Sequence, residues 1–427
     1  MTAPIVLAFS GGLDTCWCIP HLRRQHNADI ITVSVDCGGF DSAEQAEIEA
    51  ASQRLGAVEH VFIDARRTFH DEVLAFLVMG NVLRGHLYPL CVGAERGLQA
   101  REVASVAIAR GAQAIAHGCT AAGNDQVRFE IALRTLAPSL PVLAPVRDAA
   151  PTRPQQAADL ADVGFDVPAS TTTYSVNAGL WGTTIGGRET LTSHAPLPED
   201  AWQRTRGAFA HPRPPASFEI DFTRGIISGF AGQHGDPVHL ISKLDAVAAS
   251  YGIGRGIHLG DTILGSKGRV AFEAPAATVL IQAHRELEKL VLSAEQMRTK
   301  DRVAGAYGDM VHEGRFLDPA CRDIEALFRS SQARVTGRAL VRMYPGGLFV
   351  EGVDAPASLL AASTTRYGEA AGDWSAEDAR GFSRVAGLAS ILHARADQAD
   401  LRGPVGPVSI DADGAPPHTP VPAQTTT

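Results

Sequence analysis

The stretch Ile5-Val6-Leu7-Ala8-Phe9-Ser10-Gly11-Gly12-Leu13-Asp14-Thr15-Cys16 constrains this 427-residue chain more than any other. Its apolar start reads as a buried strand, its serine and paired glycines as a tight turn, and residues 15–25 as a helix. The glycines allow the backbone to fold close to an anion, and successive N–H groups in such a turn point into one concavity. The hydroxyls of Ser10 and Thr15 and the N-terminus of the following helix add donors and a favourable dipole. No Gly-Lys-Ser/Thr follows, so this is not a Walker A loop.

The rest of residues 1–165 continues the alternation of strand and helix, the pattern of a doubly wound parallel sheet covered on both faces. Residues 30–35 form a second, β-branched strand. Ser42-Ala43-Glu44-Gln45 reads as a capping box opening a helix that ends at Leu55, with Gly56 as its stop. Residues 60–63 are a third strand, residues 100–110 an amphipathic helix, and residues 114–116 a further strand. From residue 166 to 365 the pattern becomes α+β, with a strand at 217–222 and long helices at 238–251 and 276–292. Residues 366–400 are read as a C-terminal arm with a single late helix at 379–398. Residues 401–427, rich in Pro, Thr, Ala and Asp, are expected to be a disordered tail.

A second polar loop follows the strand at 114–116: His117-Gly118-Cys119-Thr120-Ala121-Ala122-Gly123-Asn124-Asp125-Gln126-Val127-Arg128-Phe129-Glu130. Hydroxyl, amide, carboxylate and guanidinium groups crowded at a strand exit suit a zwitterion, with Asp125 for an ammonium and Asn124 or Thr120 for carboxylates. The net charge of −9 argues against a broad nucleic-acid or anionic-membrane surface. No apolar run approaches the roughly 20 residues of a membrane span, and the N-terminus enters a strand pattern directly, so a cytoplasmic location is expected. The six cysteines lack any metal-binding spacing and read as reduced thiols, with no metal site assigned.

Together the two loops closely resemble those of the argininosuccinate synthase family, whose patterns include A-Y/F-S-G-G-L-D-T-S and H-G-x-T-G-K-G-N-D-Q-x-R-F-E. The first also resembles the pyrophosphate loop of the ATP pyrophosphatases. Tyr174-Ser175-Val176 with Leu180-Trp181-Gly182 matches Y-S-x-D-E-N-L-W-G. Gly252-Ile253-Gly254-Arg255, Gly265-Ser266-Lys267-Gly268-Arg269 and Phe272-Glu273-Ala274-Pro275 match a later run. The resemblance covers about residues 4–398. It implies an ATP-dependent C–N ligase that adenylates an acceptor's ureido or carbonyl oxygen and then lets the aspartate amine displace AMP. It implies ATP with Mg2+, small-molecule substrates, no nucleic acid or membrane partner, and a homotetramer. By the same resemblance Ala8, Phe9, Ser10, Gly11, Gly12, Leu13, Asp14, Thr15, Cys16, Val35 and Gly118 hold ATP. Thr120, Asn124 and Asp125 hold aspartate. Tyr88, Gly93, Asn124, Arg128, Ser175, Thr184, Gly260 and Phe272 line the acceptor. Asp14, Asp125 and Arg128 are the catalytic candidates.

The departures from the family pattern cluster. The family's G-K-G-N-D is Ala121-Ala122-Gly123-Asn124-Asp125, so a lysine is lost at Ala122. T-S-L-A-R-P becomes Val92-Gly93-Ala94-Glu95-Arg96-Gly97, with a hydroxyl lost at Gly93. D-E-N becomes Asn177-Ala178-Gly179, a serine becomes Thr184, a glutamate becomes Gly260 and a tyrosine becomes Phe272. Positions matching aspartate contacts remain, whereas those matching citrulline's amino-acid end mostly do not. The sequence therefore points to a ligase with an altered acceptor from a specialised pathway. The alternatives are a true argininosuccinate synthase of arginine biosynthesis, a non-catalytic nucleotide-binding relative, and a sulfur-transferring ATP pyrophosphatase. The acidic charge and cysteine spacing argue against the last.

Overall fold

A computed structural model describes residues 3–166 and 174–399. The expected tail at 401–427 lies outside the described residues. The chain forms one compact unit over Met1–Leu359 and a second beginning at Leu360.

The first sheet is parallel throughout: β1 (Ile5–Ala8), β2 (Ile30–Asp36), β3 (Glu59–Asp64), β4 (Ala114–His117) and β5 (Val142–Leu143), in the order β3-β2-β1-β4-β5. Every residue of β2 is buried, Thr32, Ser34 and Asp36 included, as befits a central strand covered on both faces. Alternate side chains feed two cores. Val6, Ile31, Val33 and Val35 join one face, and Ile5, Leu7 and Ile30 pack with Trp17 and Leu22 on the other. The chain winds outward from β1 to β3 on one side, then returns to add β4 on the opposite flank. The crevice between the C-terminal ends of β1 and β4 is thus a topological switch point, where ligands of open α/β sheets bind.

Two antiparallel sheets complete the unit. β8 (Ala216–Thr223), β9 (Ile226–Phe230), β10 (Gln233–His234), β13 (Gly337–Tyr344) and β14 (Gly347–Asp354) run in the order β10-β9-β8-β13-β14. The long helices Pro237–Ser250 and Pro275–Val291 pack against this sheet. The other sheet holds β6 (Ser175–Gly179), β7 (Gly182–Gly186), β11 (Arg255–Asp261) and β12 (Lys267–Glu273) in the order β11-β12-β7-β6.

Two local expectations are corrected. The helix Ser42–Arg54 is capped one residue earlier than the sequence reading places it. Asp41 Oδ1 accepts from the amides of Ala43 (2.8 Å) and Glu44 (2.9 Å), and Glu44 Oε2 accepts from Asp41 N at 2.9 Å. Both residue types can cap, but the carboxylate at 41 spaces the box onto a glutamate and meets the helix dipole with a full charge. The single late helix is two, Ala376–Ala386 and Leu388–Ala399, broken at Gly387, a residue type of weak helix preference, although Gly381 is carried inside the first helix.

Candidate active site

The loop after β1 is shaped by its own small residues. Gly11 has φ +74°, and a Cβ there would lie 2.8 Å from Ile48 Cγ1, so both conformation and space demand glycine. Phe9 N bonds back to Val33 O at 2.9 Å and Ser34 Oγ donates to Phe9 O at 2.7 Å, which ties the loop to β2. Ser10 Oγ and Thr15 Oγ1 lie 3.2 Å apart, facing each other across the turn at the N-terminus of the helix Leu13–His26. Asp14 Oδ1 accepts from Gln156 Nε2 at 2.8 Å, so a later helix fixes its orientation. Gly118 closes the crevice from the β4 side: a Cβ there would stand 2.9 Å from Thr15 Cγ2 and 3.2 Å from Thr15 N. The two loops that the sequence singled out therefore touch. Val35 sits buried near the end of the adjoining β2.

The second loop leads into the helix Asp125–Leu136. Its carboxylate is clamped: Arg128 Nη1 donates to Asp125 Oδ1 at 2.6 Å and Arg96 Nε to Oδ2 at 3.1 Å. Burial would raise this carboxyl, but the charges of Arg96 and Arg128 prevail and hold it at about 2. Arg128 is itself buried and donates through Nε to His312 O at 2.6 Å. Asn124 Oδ1 accepts from Ile263 N at 2.9 Å, which ties this loop to the turn between β11 and β12. At the head of the loop, His117 is buried and its pKa is lowered to about 4, by burial first and then by Arg147.

The second half of the chain contributes one face of a sheet. In β6, β7 and β12, Asn177 pairs with Thr184 and Thr184 with Phe272, while Phe272 pairs with Gly256 of β11. Because side chains alternate along a strand, Ser175, Asn177, Thr184, Phe272, His258 and Gly260 all share that face. Ile185 and Ala271 point the other way, into a small core with Trp202. Tyr88, 4% exposed, lies against the shared face, with its ring 5.1 Å from that of Phe272 and stacked on His258 at 5.4 Å. Gly93 is packed closely there by Arg128 and His312, since a Cβ would stand 3.3 Å from Arg128 Nη2 and 3.6 Å from His312 Nδ1. Ser175 is exposed at the first position of β6, paired with Gly186.

Four neighbours escaped the sequence reading as site residues. Arg96 also reaches Gln99 Oε1 at 2.8 Å and Asn177 Oδ1 at 3.3 Å, joining the two halves of the site. Its signal was its place three residues beyond Gly93. His258 could have been found by strand alternation with Gly260, whereas nothing local marks His312. Glu95 is 2% exposed, and its Oε1 finds no hydrogen-bond partner among the described residues. It fits only because residue 179 is glycine: a Cβ there would fall 1.6 Å from Glu95 Oε1. Burial, partly offset by Arg96 and reinforced by Asp36, pushes its carboxyl up to about 8.

A phosphate-shaped turn at the switch point, beside a clamped carboxylate and a wall of polar and aromatic groups, defines a nucleotide-binding enzyme built on a parallel α/β sheet. Comparison with known proteins is specific. Residues 4–163 match the model for the arginosuccinate synthase N-terminal HUP domain, and residues 174–393 match that for the arginosuccinate synthase C-terminal domain. An argininosuccinate synthase of Xylella fastidiosa is 38% identical over 400 residues, spanning 92% of this chain and 98% of the relative. One from Methanocaldococcus jannaschii is 34% identical over 388 residues, covering 91% and 97%. One from Methanothermobacter thermautotrophicus is 38% identical over 357 residues, covering 83% and 88%. The chain belongs to the argininosuccinate synthase family, ATP-dependent ligases that form AMP and pyrophosphate.

Proposed function

We propose that the chain uses ATP to adenylate a ureido or carbonyl oxygen of an acceptor, and then joins the acceptor to aspartate. The acceptor oxygen attacks the α-phosphorus, the bond from that phosphorus to the bridging oxygen breaks, and pyrophosphate leaves. The aspartate amine then adds to the activated carbon and loses a proton, and AMP leaves as the C–O bond breaks. Support comes from the contact between the loop at Ser10–Thr15 and Gly118, which brings the loop read as the phosphate site beside the polar loop. In this reading Thr120, Asn124 and Asp125 hold aspartate, while Arg128 and Tyr88 orient the acceptor. Holding reactants in line and excluding water from the adenylate is the main catalytic task. Among the described residues no group of three or more His, Cys, Asp or Glu is arranged to hold a metal ion. Magnesium would enter with the ATP phosphates, whose charge it would neutralise, and Asp14 is the acid at the loop that would stand by it.

The observation that carries the choice of acceptor is the wall itself. Gly93, Gly260 and Phe272 offer neither hydroxyl nor carboxylate to an α-amino acid end, which favours an acceptor other than citrulline. A second reading, citrulline and arginine biosynthesis, is favoured by the relatives, which are argininosuccinate synthases by name at 34–38% identity. The comparisons back that second reading better. The deciding measurement is kcat/KM for citrulline with saturating ATP and aspartate. A few-hundred- to few-thousand-fold deficit, leaving about 10² M⁻¹s⁻¹ or less, is expected for an altered acceptor, and about 10⁴ M⁻¹s⁻¹ or more restores citrulline.

The assembly belongs to the same proposal. The second unit exposes Phe382, Val385, Leu388 and Leu392, an apolar set suited to a neighbouring subunit. A tetramer by light scattering and its loss on deleting residues 366–427 would support this arm. The division at residues 165 and 365, and a cytoplasmic location, remain proposals to be checked by limited proteolysis and cell fractionation.

A further inference from the structure

The acceptor wall holds two imidazoles that the family motifs do not mark. His258 is stacked on Tyr88, with ring centroids 5.4 Å apart and planes 20° apart. A Cβ at Gly260 would meet His258 Nε2 at 2.7 Å, and one at Gly85 would meet its Cε1 at 3.3 Å. The ring therefore occupies the space that a side chain at 260 would take. His312 stands edge-on to Tyr88 at 6.3 Å, with its two ring nitrogens 3.2 and 3.3 Å from Arg128 Nη2. Burial and then Arg84 lower the pKa of His258. Burial, followed by Arg128 and Arg84, lowers that of His312 to about 2. Both rings are neutral at neutral pH, with cationic guanidiniums behind them.

The acids around this wall are already committed. Asp125 is held by Arg96 and Arg128, Asp309 by Arg84 at 2.6 Å, and Asp261 by Lys267 at 2.6 Å. Glu95, beneath Gly179 at the other end of the same face, is buried and unionised at neutral pH. An ammonium brought against His258 would lose its water with no free carboxylate to replace it, since Asp125, Asp309 and Asp261 are already paired, and with the guanidinium of Arg84 nearby. An amide or alkyl end carries no charge to desolvate, and a carboxylate has a donor within the wall in Arg128 Nη2, which stands against Gly93.

We propose that His258 sets the acceptor specificity, filling the space over Gly260 so that the pocket takes a ureido or carbonyl compound whose far end is uncharged or anionic and excludes an α-ammonium group. This rests on the reading that the acceptor is not citrulline.

The test compares citrulline with 5-ureidopentanoate, the same molecule with hydrogen in place of the α-ammonium. Affinities are measured by titration calorimetry with a non-hydrolysable ATP analogue present, for wild type, His258→Ala and His258→Ala/Gly260→Glu. Wild type is expected to bind 5-ureidopentanoate at least about tenfold more tightly, the usual scale for stranding a charged hydrogen-bonding group. The double variant, which gains both room and a carboxylate, should shift the ratio toward citrulline by about tenfold or more, while His258→Ala alone shifts it less. Poor citrulline turnover with a wild-type ratio near one, or a ratio unmoved in the folded double variant, overturns the role of His258 but leaves the altered-acceptor reading standing. Failure of wild type to bind either compound also overturns it. Efficient citrulline turnover overturns both.

Discussion

Replacing Glu95 by glutamine should stabilise the protein, and the gain should grow with pH in a manner fixed by the buried carboxyl. In the folded chain this group, 2% exposed, has its pKa raised from 4.5 to about 8. A carboxyl whose folded pKa lies above its unfolded value contributes its full stability below the unfolded pKa and loses it as pH rises to the folded one. At pH 7 the unfolded chain has ionised this group across about 2.5 pH units in which the folded chain has not, a cost of about 3 kcal/mol at about 1.4 kcal/mol per unit. Glutamine has nearly the same shape and does not titrate. Its second N–H lacks an evident partner, at a cost of roughly 1 kcal/mol that is independent of pH. The net gain at pH 7 is then about 2 kcal/mol. The assay is guanidinium denaturation of wild type and Glu95→Gln at pH 5.5, 7.0 and 8.5, followed by tryptophan fluorescence. The stability difference should widen by about 3 kcal/mol across that series and flatten above pH 8. A difference that stays constant with pH would show that Glu95 is ionised in the fold and refute the reasoning.

Three further outcomes are expected. Gly179→Ala puts a methyl 1.6 Å from Glu95 Oε1 and should cost roughly 1–3 kcal/mol, most of it recovered in Gly179→Ala/Glu95→Ala; additive losses in that double-mutant cycle would disprove the contact. Ser10→Ala and Asp14→Ala should each reduce kcat for AMP release by about 10²–10³-fold with the fold retained by circular dichroism, and normal turnover in both would remove the loop from the site. Lys300→Met should destabilise by about 3–5 kcal/mol, because Glu288, fully buried and paired with Lys300 Nζ at 2.6 Å, is left with the amides of Asn81 and Gln332 and the His284 ring at 3.8 Å; a change below about 1 kcal/mol in the free energy of unfolding would show that the pair is not ionic.

The sequence alone determined the parallel sheet, the loop from Ala8 to Cys16 and the polar loop from His117 to Glu130, because apolar periodicity, glycine turns and strand-end placement are local properties of the chain. It also marked Gly93, Gly260 and Phe272 as departures from a family pattern. The packed structure decided everything that depends on residues far apart in sequence. Asp125 lies between Arg128, three residues on, and Arg96, 29 residues back. Arg128 rests on His312, 184 residues away, and Glu95 occupies the space left by Gly179. Helical spacing places Arg128 one turn from Asp125, but nothing along the chain records Arg96, His312 or Gly179 as partners. Their distances, and the raised carboxyl of Glu95 and depressed one of Asp125 that follow, arise only when two sheets and several helices exclude water from the same few ångströms.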